Sequence, residues 1–269
     1  MSGFSAAWLA LREPYDVAAR NATVLDAVAT HFIDQPSIAV VDLACGTGAT
    51  LRAIGPHLPP RQSWRLVDND LGLLAKASAL GRPPHLTVAT KPVDLVRDLE
   101  LALQSPLDLI ATSALLDLVS AEWLDRLIVE AAARRLPVYA ALSYDGRTTP
   151  EPDCVLDIEV LAGFDVHQRT DKGFGPALGP AAAARASERF EQLGYTVVQG
   201  QSDWVFGPAD RTIQDQLFAG WGEVAVLTTA LSSDAIERWL AQRRGHLAEG
   251  RSRLRVGHVD FFARPIGTR

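Results

Sequence analysis

The sequence contains few cysteines and no long apolar run, and both absences exclude whole classes of protein. Its 269 residues include only Cys45 and Cys154, which excludes a disulfide framework and a zinc site built from cysteines alone. The longest apolar runs, such as 138–142 and 224–231, fall far short of the roughly 20 residues that a membrane span needs. Residues 1–10 show no basic region before an apolar core, so we expect no signal peptide and a cytoplasmic location.

Excess positive charge is also absent. The net charge is -6 at pH 7, whereas a protein that binds nucleic acid usually carries a basic excess or a basic stripe. We interpret the densest basic segment, 238–255, as a solvated helix face, and we expect no nucleic-acid partner. The six histidines show no ligand spacing such as His-x-x-x-His, so no metal site is expected. Abundant alanine, leucine and arginine with a single methionine indicate a bacterial source with a GC-rich genome.

Short apolar runs alternate with amphipathic stretches through the first half of the chain. Runs of strand length lie at 38–43, 64–67, 86–89, 107–111 and 137–142. A stretch with helical periodicity follows each of the first four runs before the next run begins. This alternation is typical of an α/β fold with a doubly wound, mostly parallel sheet.

The second half of the chain is less regular. Residues 145–180 are rich in glycine, proline and aspartate, and we interpret them as a functional or mobile loop with a short strand at 155–160. A helical insertion is predicted at about 210–244, broken near Leu231. Short strands are predicted at 195–199, 203–206 and 256–263. The sequence contains no linker that would divide the chain into independent domains.

A glycine loop directly after the first strand carries the strongest chemical signal. The segment Asp42–Gly48 reads Asp-Leu-Ala-Cys-Gly-Thr-Gly, and a helix is predicted to begin after it. Glycine lets a ligand approach the backbone closely, and the start of the helix offers free N–H groups. The loop lacks the third glycine of the dinucleotide-binding fingerprint, and the carboxylate of Asp42 suits a cation or a water-bridged amine better than a pyrophosphate.

An acidic residue ends the second predicted strand. Asp68 follows the apolar pair Leu66-Val67, about twenty residues after the glycine loop. A carboxylate at this position can accept hydrogen bonds from both hydroxyls of a ribose. The two elements together predict a site for a nucleoside-like ligand at the carboxyl edge of the sheet.

These residues resemble those of the class I S-adenosylmethionine (SAM)-dependent methyltransferases. The segment Asp42–Gly48 is similar to the first motif of that family, and 66–68 is similar to its acidic second motif. Residues 106–114 resemble the fourth-strand motif beside the transferred methyl group. The resemblance implies a Rossmann-like, seven-stranded sheet in the order 3-2-1-4-5-7-6, ending in an antiparallel hairpin, here 204–206 with 256–263. It also implies SAM as the cofactor.

The resemblance implies further cofactor contacts. Asp94 lies where the family often places an aspartate that meets the adenine amino group, and Ser113 lies in the fourth-strand motif. Arg12 precedes the first strand, where it can pair with the SAM carboxylate or remain a surface residue of an amphipathic helix. The expected cofactor-binding residues are Asp42, Ala44, Gly46, Gly48, Asp68, Asp94, Ser113 and Arg12.

Polar residues after the fifth strand are candidates for catalysis and for binding the acceptor. Tyr144 and Asp145 either face a substrate or belong to a simple turn. His167, in the glycine-punctuated segment 164–175, can act as the general base that O-methylation requires, or belong to an ordered surface loop. The expected catalytic residues are His167 and Tyr144, and the expected substrate-binding residues are Asp145, Arg169 and Lys172.

We therefore expect one methyltransferase domain over 1–269. It comprises an N-terminal helical cap (1–36), a SAM-binding half (37–143) and a substrate-side half (144–269). The insertion at about 210–244 is expected to cover the site or to make a subunit contact, as in a homodimer. The expected activity is methyl transfer to a small molecule. A non-catalytic SAM-binding protein and a nucleotide-dependent oxidoreductase are the alternatives.

Overall fold

The computed structural model describes residues 4–79 and 84–267, which alternate between helices and strands. The strands are β1 (Ser37–Leu43), β2 (Arg61–Asp68), β3 (Leu86–Pro92), β4 (Leu109–Ser113), β5 (Val138–Glu151), β6 (Tyr195–Gln201), β7 (Trp204–Phe206) and β8 (Arg253–Pro265). The α-helices are α1 (Ala6–Ala19), α2 (Ala22–Phe32), α3 (Ala49–Ile54), α4 (Leu71–Ser78), α5 (Leu99–Ala102), α6 (Ala121–Ala133), α7 (Asp157–Gln168), α8 (Ala182–Gln192), α9 (Arg211–Thr228) and α10 (Ser233–Ala248).

All eight strands belong to one open sheet, which confirms the predicted α/β class. The order is β3-β2-β1-β4-β5-β8-β6, with the short β7 paired to β8 outside this path. Strands β1 to β5 pair in parallel, whereas β6, β7 and β5 each pair antiparallel with β8. The observed path matches the order 3-2-1-4-5-7-6 that the resemblance implies, with β8 as its seventh strand. The short strand predicted at 203–206 forms β7 and pairs with β8, which brings the sheet to eight strands.

Alternating side chains of the central strand enter two apolar layers. Val40 and Val41 of β1 are both fully buried, but they point to opposite faces of the sheet. Val40 packs with residues of α2 and α3, and Val41 packs with residues of α6 and α8. Each such side chain stabilises the fold by about 1.5–3 kcal/mol when it is buried. A strand covered on both faces must be apolar throughout, which explains the continuous runs in the sequence.

The fifth strand extends beyond its predicted end. The sequence indicates a strand ending at residue 142 and a loop from 145, whereas β5 pairs with β8 as far as Glu151. Register shifts interrupt the pairing, and in this region the N–H of Leu142 donates to the carboxylate of Asp260 at 2.7 Å. A bulge bends a strand without ending it. The polar residues that resemble a turn therefore continue the sheet.

A helix replaces the short strand predicted at 155–160. Helix α7 begins at Asp157, whose carboxylate accepts the N–H of Cys154 at 2.7 Å and pairs with the buried Arg243 of α10. The helix dipole also favours an acidic side chain at this end. The predicted strand is wrong because a partner 86 residues away in the chain overrides the local pattern.

The predicted helical insertion forms α9 and α10, with the break close to Leu231 as expected. The helices pack through Phe218 and Trp221 of α9 and Trp239 of α10, which belong to a third apolar cluster. Within 4–79 and 84–267, no helix is long and apolar enough to cross a membrane.

Candidate functional site

A cavity of about 470 Å³ lies at the carboxyl edge of the parallel strands. Its walls come from α1, the glycine loop after β1, the ends of β2 and β4, the turn 93–96 after β3 and the segment 172–174. Open α/β sheets bind their ligands at this edge, and the volume is in the usual range for a small-molecule site. The cavity therefore defines the candidate functional site.

The glycine loop adopts a backbone conformation that favours glycine. Gly46 and Gly48 have φ angles of +53° and +82°. Ala44, which follows β1 directly, has a φ angle of +53°. A Cβ atom on Gly46 would lie 3.1 Å from Cδ1 of Leu9, because α1 packs directly on the loop. Both the left-handed backbone and the close approach of α1 thus favour glycine at position 46.

Asp68 connects the end of β2 to the glycine loop. One carboxylate oxygen accepts the N–H of Gly46 at 2.9 Å, and the other accepts the N–H of Asp70 at 3.0 Å. Asp68 is nine-tenths buried and lines the cavity. Each oxygen of an ionised carboxylate can accept more than one hydrogen bond. The fixed carboxylate can therefore also receive the hydroxyl groups of a ligand.

Asp42 lies beneath the loop and not on the cavity wall. Its side chain is fully buried, and no described residue donates a hydrogen bond of ordinary geometry to its oxygens. Burial raises the pKa of Asp42 to about 7, although the charge of Arg20 and the hydroxyl of Thr50 offset part of this rise. The buried guanidinium of Arg20 donates to the hydroxyl of Ser113 at 3.1 Å. Arg20 thus links the surroundings of Asp42 to a residue of the cavity wall.

Asp94 and Ser113 both line the cavity, as do Ala44 and Gly46. The carboxylate of Asp94, however, already accepts the N–H of Val96 at 3.0 Å and pairs with Arg97 at 2.8 Å. Asp94 thus lies on the cavity wall, but its oxygens already accept hydrogen bonds within the local turn, and its contact with a cofactor stays a prediction.

Arg12 lies on the cavity wall within a buried cluster. Its Nε donates to Asp16 at 2.9 Å, and its guanidinium carbon lies 5.0 Å from the centre of the Trp204 ring. The indole N–H of Trp204 in turn donates to Asp16 at 3.0 Å. Arg52, beyond the glycine loop, binds Glu13 of α1 through both of its oxygens. These contacts hold α1 over the loop, and Arg12 is not a surface residue.

Of the residues expected to act on the acceptor, Lys172 lines the cavity. Its Nζ donates to the carbonyl of His167 at 2.8 Å and to the hydroxyl of Thr170 at 3.0 Å. The same atom lies 3.0 and 3.1 Å from the two ring nitrogens of His167. A position so nearly equidistant requires Nζ to lie over the ring face. His167, in the last turn of α7, contacts Lys172 but does not itself line the cavity.

Tyr144, Asp145 and Arg169 lie away from the cavity wall. The hydroxyl of Tyr144 donates to Asp165 at 2.9 Å, and burial raises the pKa of Tyr144 well above its ordinary value. Asp145 is bound by Arg147, which also pairs with Asp203. Arg169 is exposed to solvent. None of the three side chains contacts the cavity: β5 continues as a strand and carries Tyr144 and Asp145 past it, and Arg169 lies at the end of α7.

Sequence reasoning missed Asp117, a buried carboxyl group after β4. It lies in a short 3₁₀ turn, Leu116–Leu118, and is only 5% exposed. Burial raises the pKa of Asp117 to about 6. The one available signal was a charged residue within the apolar run 115–119, because a charge is almost never fully buried without a reason.

No family model and no curated protein matches the sequence. Among solved structures, the chain is similar to a cyclopropane-fatty-acyl-phospholipid synthase-like protein from Lactobacillus casei, with a TM-score of 0.53, 17% identity and coverage of 97% of this chain and 94% of that chain. It is also similar to a protein from Bacillus halodurans that bears the provisional name methyltransferase, with a TM-score of 0.50, 13% identity and coverage of 91% and 100%. The YcgJ protein of Bacillus subtilis gives a TM-score of 0.51 at 11% identity, with coverage of 92% and 100%. These similarities show the fold, the Rossmann-like methyltransferase fold.

Proposed function

We propose that this chain is a SAM-dependent methyltransferase that acts on a small molecule. The observation that carries the proposal is the hydrogen bond that fixes the Asp68 carboxylate against the glycine loop at the edge of the cavity. A carboxylate fixed there can bind ribose hydroxyls, which a nucleoside-like cofactor provides. The resemblance of these same residues to the motifs of the methyltransferases identifies SAM as that cofactor.

The charges around the cavity favour SAM over a dinucleotide. Two cationic side chains line the cavity, Arg12 and Lys172. Four carboxylates also line it: Asp16, Asp68, Asp70 and Asp94. A pyrophosphate would be repelled by this acidic wall, whereas a sulfonium and an ammonium group would be attracted. The residues present therefore fit SAM, and the oxidoreductase alternative is disfavoured.

Different parts of the cavity suit different parts of the cofactor. Asp68 would hold the ribose, and Val93 and Leu95, which are apolar, would pack against the base. Arg12 would attract the carboxylate group of SAM, although it already forms an ion pair with Asp16. When bound, SAM supplies a methyl group on a sulfonium, which is electrophilic without further activation.

The remaining task of the chain is to position the acceptor and to exclude water. Leu115, Leu118 and Phe174 form an apolar end of the cavity next to Ser113, at the end of β4. A small acceptor with an apolar body would fill this end. We further propose that the protein acts in the cytoplasm and that its acceptor is not a nucleic acid, in line with the acidic charge of the chain.

The proposal is tested by following a labelled methyl group. The protein is incubated with methyl-labelled SAM and a small-molecule filtrate of a bacterial extract, and S-adenosylhomocysteine (SAH) is quantified beside labelled products. The proposal predicts label in a small organic product and an equal amount of SAH. Tight SAH binding with no transfer from any filtrate would instead favour the non-catalytic alternative.

A further inference from the structure

Ser113 ends β4, and its side chain lines the cavity. Its hydroxyl oxygen accepts a hydrogen bond of 3.1 Å from Nη2 of Arg20. Because the guanidinium is the donor, the serine hydrogen points elsewhere, and no residue within 4–79 or 84–267 accepts it. A hydroxyl group has one donor position besides its two lone pairs. The O–H group of Ser113 can therefore donate to a ligand in the cavity.

Arg20, the C-cap residue of α1, is a buried cation behind this hydroxyl group. Its Nη1 donates to the hydroxyl of Tyr139 at 2.8 Å, while its Nη2 donates to Ser113. Tyr139 of β5 lies opposite Ala111 of β4, which is two residues before Ser113 and on the same face of the sheet. The planar guanidinium can therefore bridge both strands. Since Arg20 is only 7% exposed, water screens its charge little.

The contact with Arg20 determines which hydrogen bond Ser113 forms best. A hydroxyl oxygen that accepts a hydrogen bond from a cation becomes a weaker acceptor and a stronger donor, because linked hydrogen bonds polarise one another. Such a donor binds an anionic oxygen more strongly than a neutral one. The pair of Arg20 and Ser113 thus favours a ligand oxygen that carries negative charge.

Ser113 lies on the acceptor side of the cavity. In the sheet, β4 and the β2 strand that carries Asp68 flank β1 on opposite sides, so Ser113 and the proposed ribose site are separated by β1. Leu115 and Leu118, which follow Ser113 along the chain, form the apolar end of the cavity with Phe174. A ligand oxygen at Ser113 would therefore belong to the acceptor, with its apolar body against these three residues.

We propose that Ser113 donates a hydrogen bond to the acceptor oxygen that receives the methyl group, and that Arg20 is the positioning residue for this hydroxyl. The inference rests on the proposed methyl transfer. The acceptor is then a small, largely apolar molecule with an acidic O–H group, as in a phenol or a carboxylic acid. A neutral amine does not fit, because its single lone pair cannot both accept from Ser113 and attack the methyl carbon. An oxygen anion has further lone pairs.

The chemical step balances with the acceptor in its anionic form. Its proton has already passed to solvent, so the step requires no general base. A lone pair of the acceptor oxygen forms the bond to the methyl carbon, and the electron pair of the broken carbon–sulfur bond remains on sulfur, which becomes neutral. Ser113 keeps its proton throughout, and its hydrogen bond holds the acceptor oxygen in place and favours the ionised acceptor.

The test compares matched probes on SAH-saturated protein. 4-Nitrophenolate and 4-nitrobenzoate carry an oxygen anion, 4-nitroaniline carries an amine, and 4-nitrotoluene has a methyl group in its place. Calorimetry gives the affinities, and the absorbance of bound 4-nitrophenol against pH gives the pKa of that probe. Ser113→Ala should weaken both anions at least about tenfold relative to 4-nitrotoluene, which is the loss expected for one hydrogen bond to a charged group. The anion that binds wild type more tightly distinguishes a phenol from a carboxylic acid.

The pKa of bound 4-nitrophenol tests the hydrogen bond itself. It should rise by about 1 or more in Ser113→Ala, because the anionic probe loses a donor that the neutral probe needs less. Ser113→Thr retains the hydroxyl group and should retain the wild-type value. The matched control is Ser233→Ala, since Ser233 is an exposed serine at the start of α10.

Arg20→Met leaves the hydroxyl group of Ser113 in place but should also raise the pKa of bound 4-nitrophenol. Tyr139→Phe removes the other partner of Arg20 and should leave that pKa nearly unchanged, which separates positioning of Ser113 from general support of the fold. If Arg20→Met does not fold, Arg20→Lys takes its place. A lysine cannot donate in the same fork to both strands, so a smaller rise is expected.

Several results would overturn the inference. They are an equal weakening of 4-nitrotoluene or of 4-nitroaniline in Ser113→Ala, or no binding of any probe to SAH-saturated wild type. An unchanged pKa of bound 4-nitrophenol in the folded Arg20 variant would show that Arg20 does not position the hydroxyl of Ser113.

SAH binding separates this inference from the proposed function. If SAH does not bind the folded wild type, the proposed function fails. If SAH binds to wild type and to Ser113→Ala alike and the substitution does not change the selectivity among the probes, only the role of Ser113 fails. A large loss of SAH affinity in Ser113→Ala with an unchanged probe selectivity would assign Ser113 to the cofactor and would also overturn the inference.

Discussion

The carboxylate of Asp68 accepts a hydrogen bond of 2.9 Å from the backbone N–H of Gly46. This contact joins the ends of β2 and β1, which are adjacent parallel strands. It orients the carboxylate towards the cavity and holds the glycine loop at the same time. The two motifs that the sequence presents separately therefore act as one structural unit.

We predict that Asp68→Ala lowers the affinity for SAH at least about tenfold. The substitution removes an acceptor of charge-assisted hydrogen bonds, each worth about 1.5–3 kcal/mol. Asp94→Ala is the comparison, because the Asp94 carboxylate is already bound by Val96 and Arg97. Its effect on affinity should be several-fold smaller. Calorimetric titration of both variants checks the order, and a larger loss in Asp94→Ala would contradict it.

Asp42→Asn should stabilise the protein at pH 8 and not at pH 4. Burial raises the pKa of Asp42 from 3.8 to about 7, so the folded state holds a proton that the unfolded state releases between these values. The stability of wild type therefore falls as the pH rises from about 4 to above 7. The neutral amide avoids this loss, with a gain of about 4 kcal/mol at pH 8.

The free energy of unfolding of Asp42→Asn is measured in urea at several pH values. Asp26→Asn serves as a control, since Asp26 is exposed on α2. A gain for Asp42→Asn that does not change with pH would contradict the account of its burial.

Gly46→Ala should lower the free energy of unfolding by about 1–2 kcal/mol and weaken SAM binding. The added Cβ would occupy a left-handed backbone conformation and would meet Leu9 at 3.1 Å. The matched control is Gly245→Ala within α10, where no atom lies within 4 Å of the added Cβ. That substitution should stabilise the protein by about 0.5–1 kcal/mol. Thermal unfolding compares the two, and equal effects would refute the prediction.

Glu13 and Arg52 should be coupled in a double-mutant cycle. The pair joins α1 to α3, and Arg52 also donates to the carbonyl of Thr47 in the glycine loop at 2.7 Å. Because both side chains are about a quarter exposed, we expect a coupling of only about 0.5–1 kcal/mol. Unfolding of Glu13→Gln, Arg52→Gln and the double variant measures it. Strictly additive effects would show that the pair does not tether α1.

The fold up to β5 could be predicted because strands buried on both faces leave a continuous apolar signature. After β5 the local patterns mislead. Residues 155–160 alternate like a strand, yet α7 begins at Asp157, which pairs with Arg243 from the far end of the chain. Likewise, the polar residues up to Glu151 extend β5 because β8 pairs with them. Partners distant in sequence decided both outcomes, and no local pattern reveals them.

The motif spacing predicted that Gly46 and Asp68 lie together, and the family resemblance added Asp94; all three line the cavity, whereas Asp42 and Gly48 of the same prediction do not. The acceptor side could not be predicted in this way. Lys172 reaches the cavity because of the hydrogen bonds around Asp171, and Tyr144 is carried away from it by the extended β5. The roles predicted for His167 and Tyr144 in catalysis therefore require contacts that the described cavity does not provide.

The most direct test of the account is the binding of SAM to the wild-type protein, measured by titration calorimetry with NAD as the comparison. We predict one site per chain with a dissociation constant in the micromolar range, about -8 kcal/mol, and no heat with NAD. No binding of SAM by the folded protein would contradict the assigned cofactor, and binding of NAD in its place would show that the acidic cavity wall has been misread.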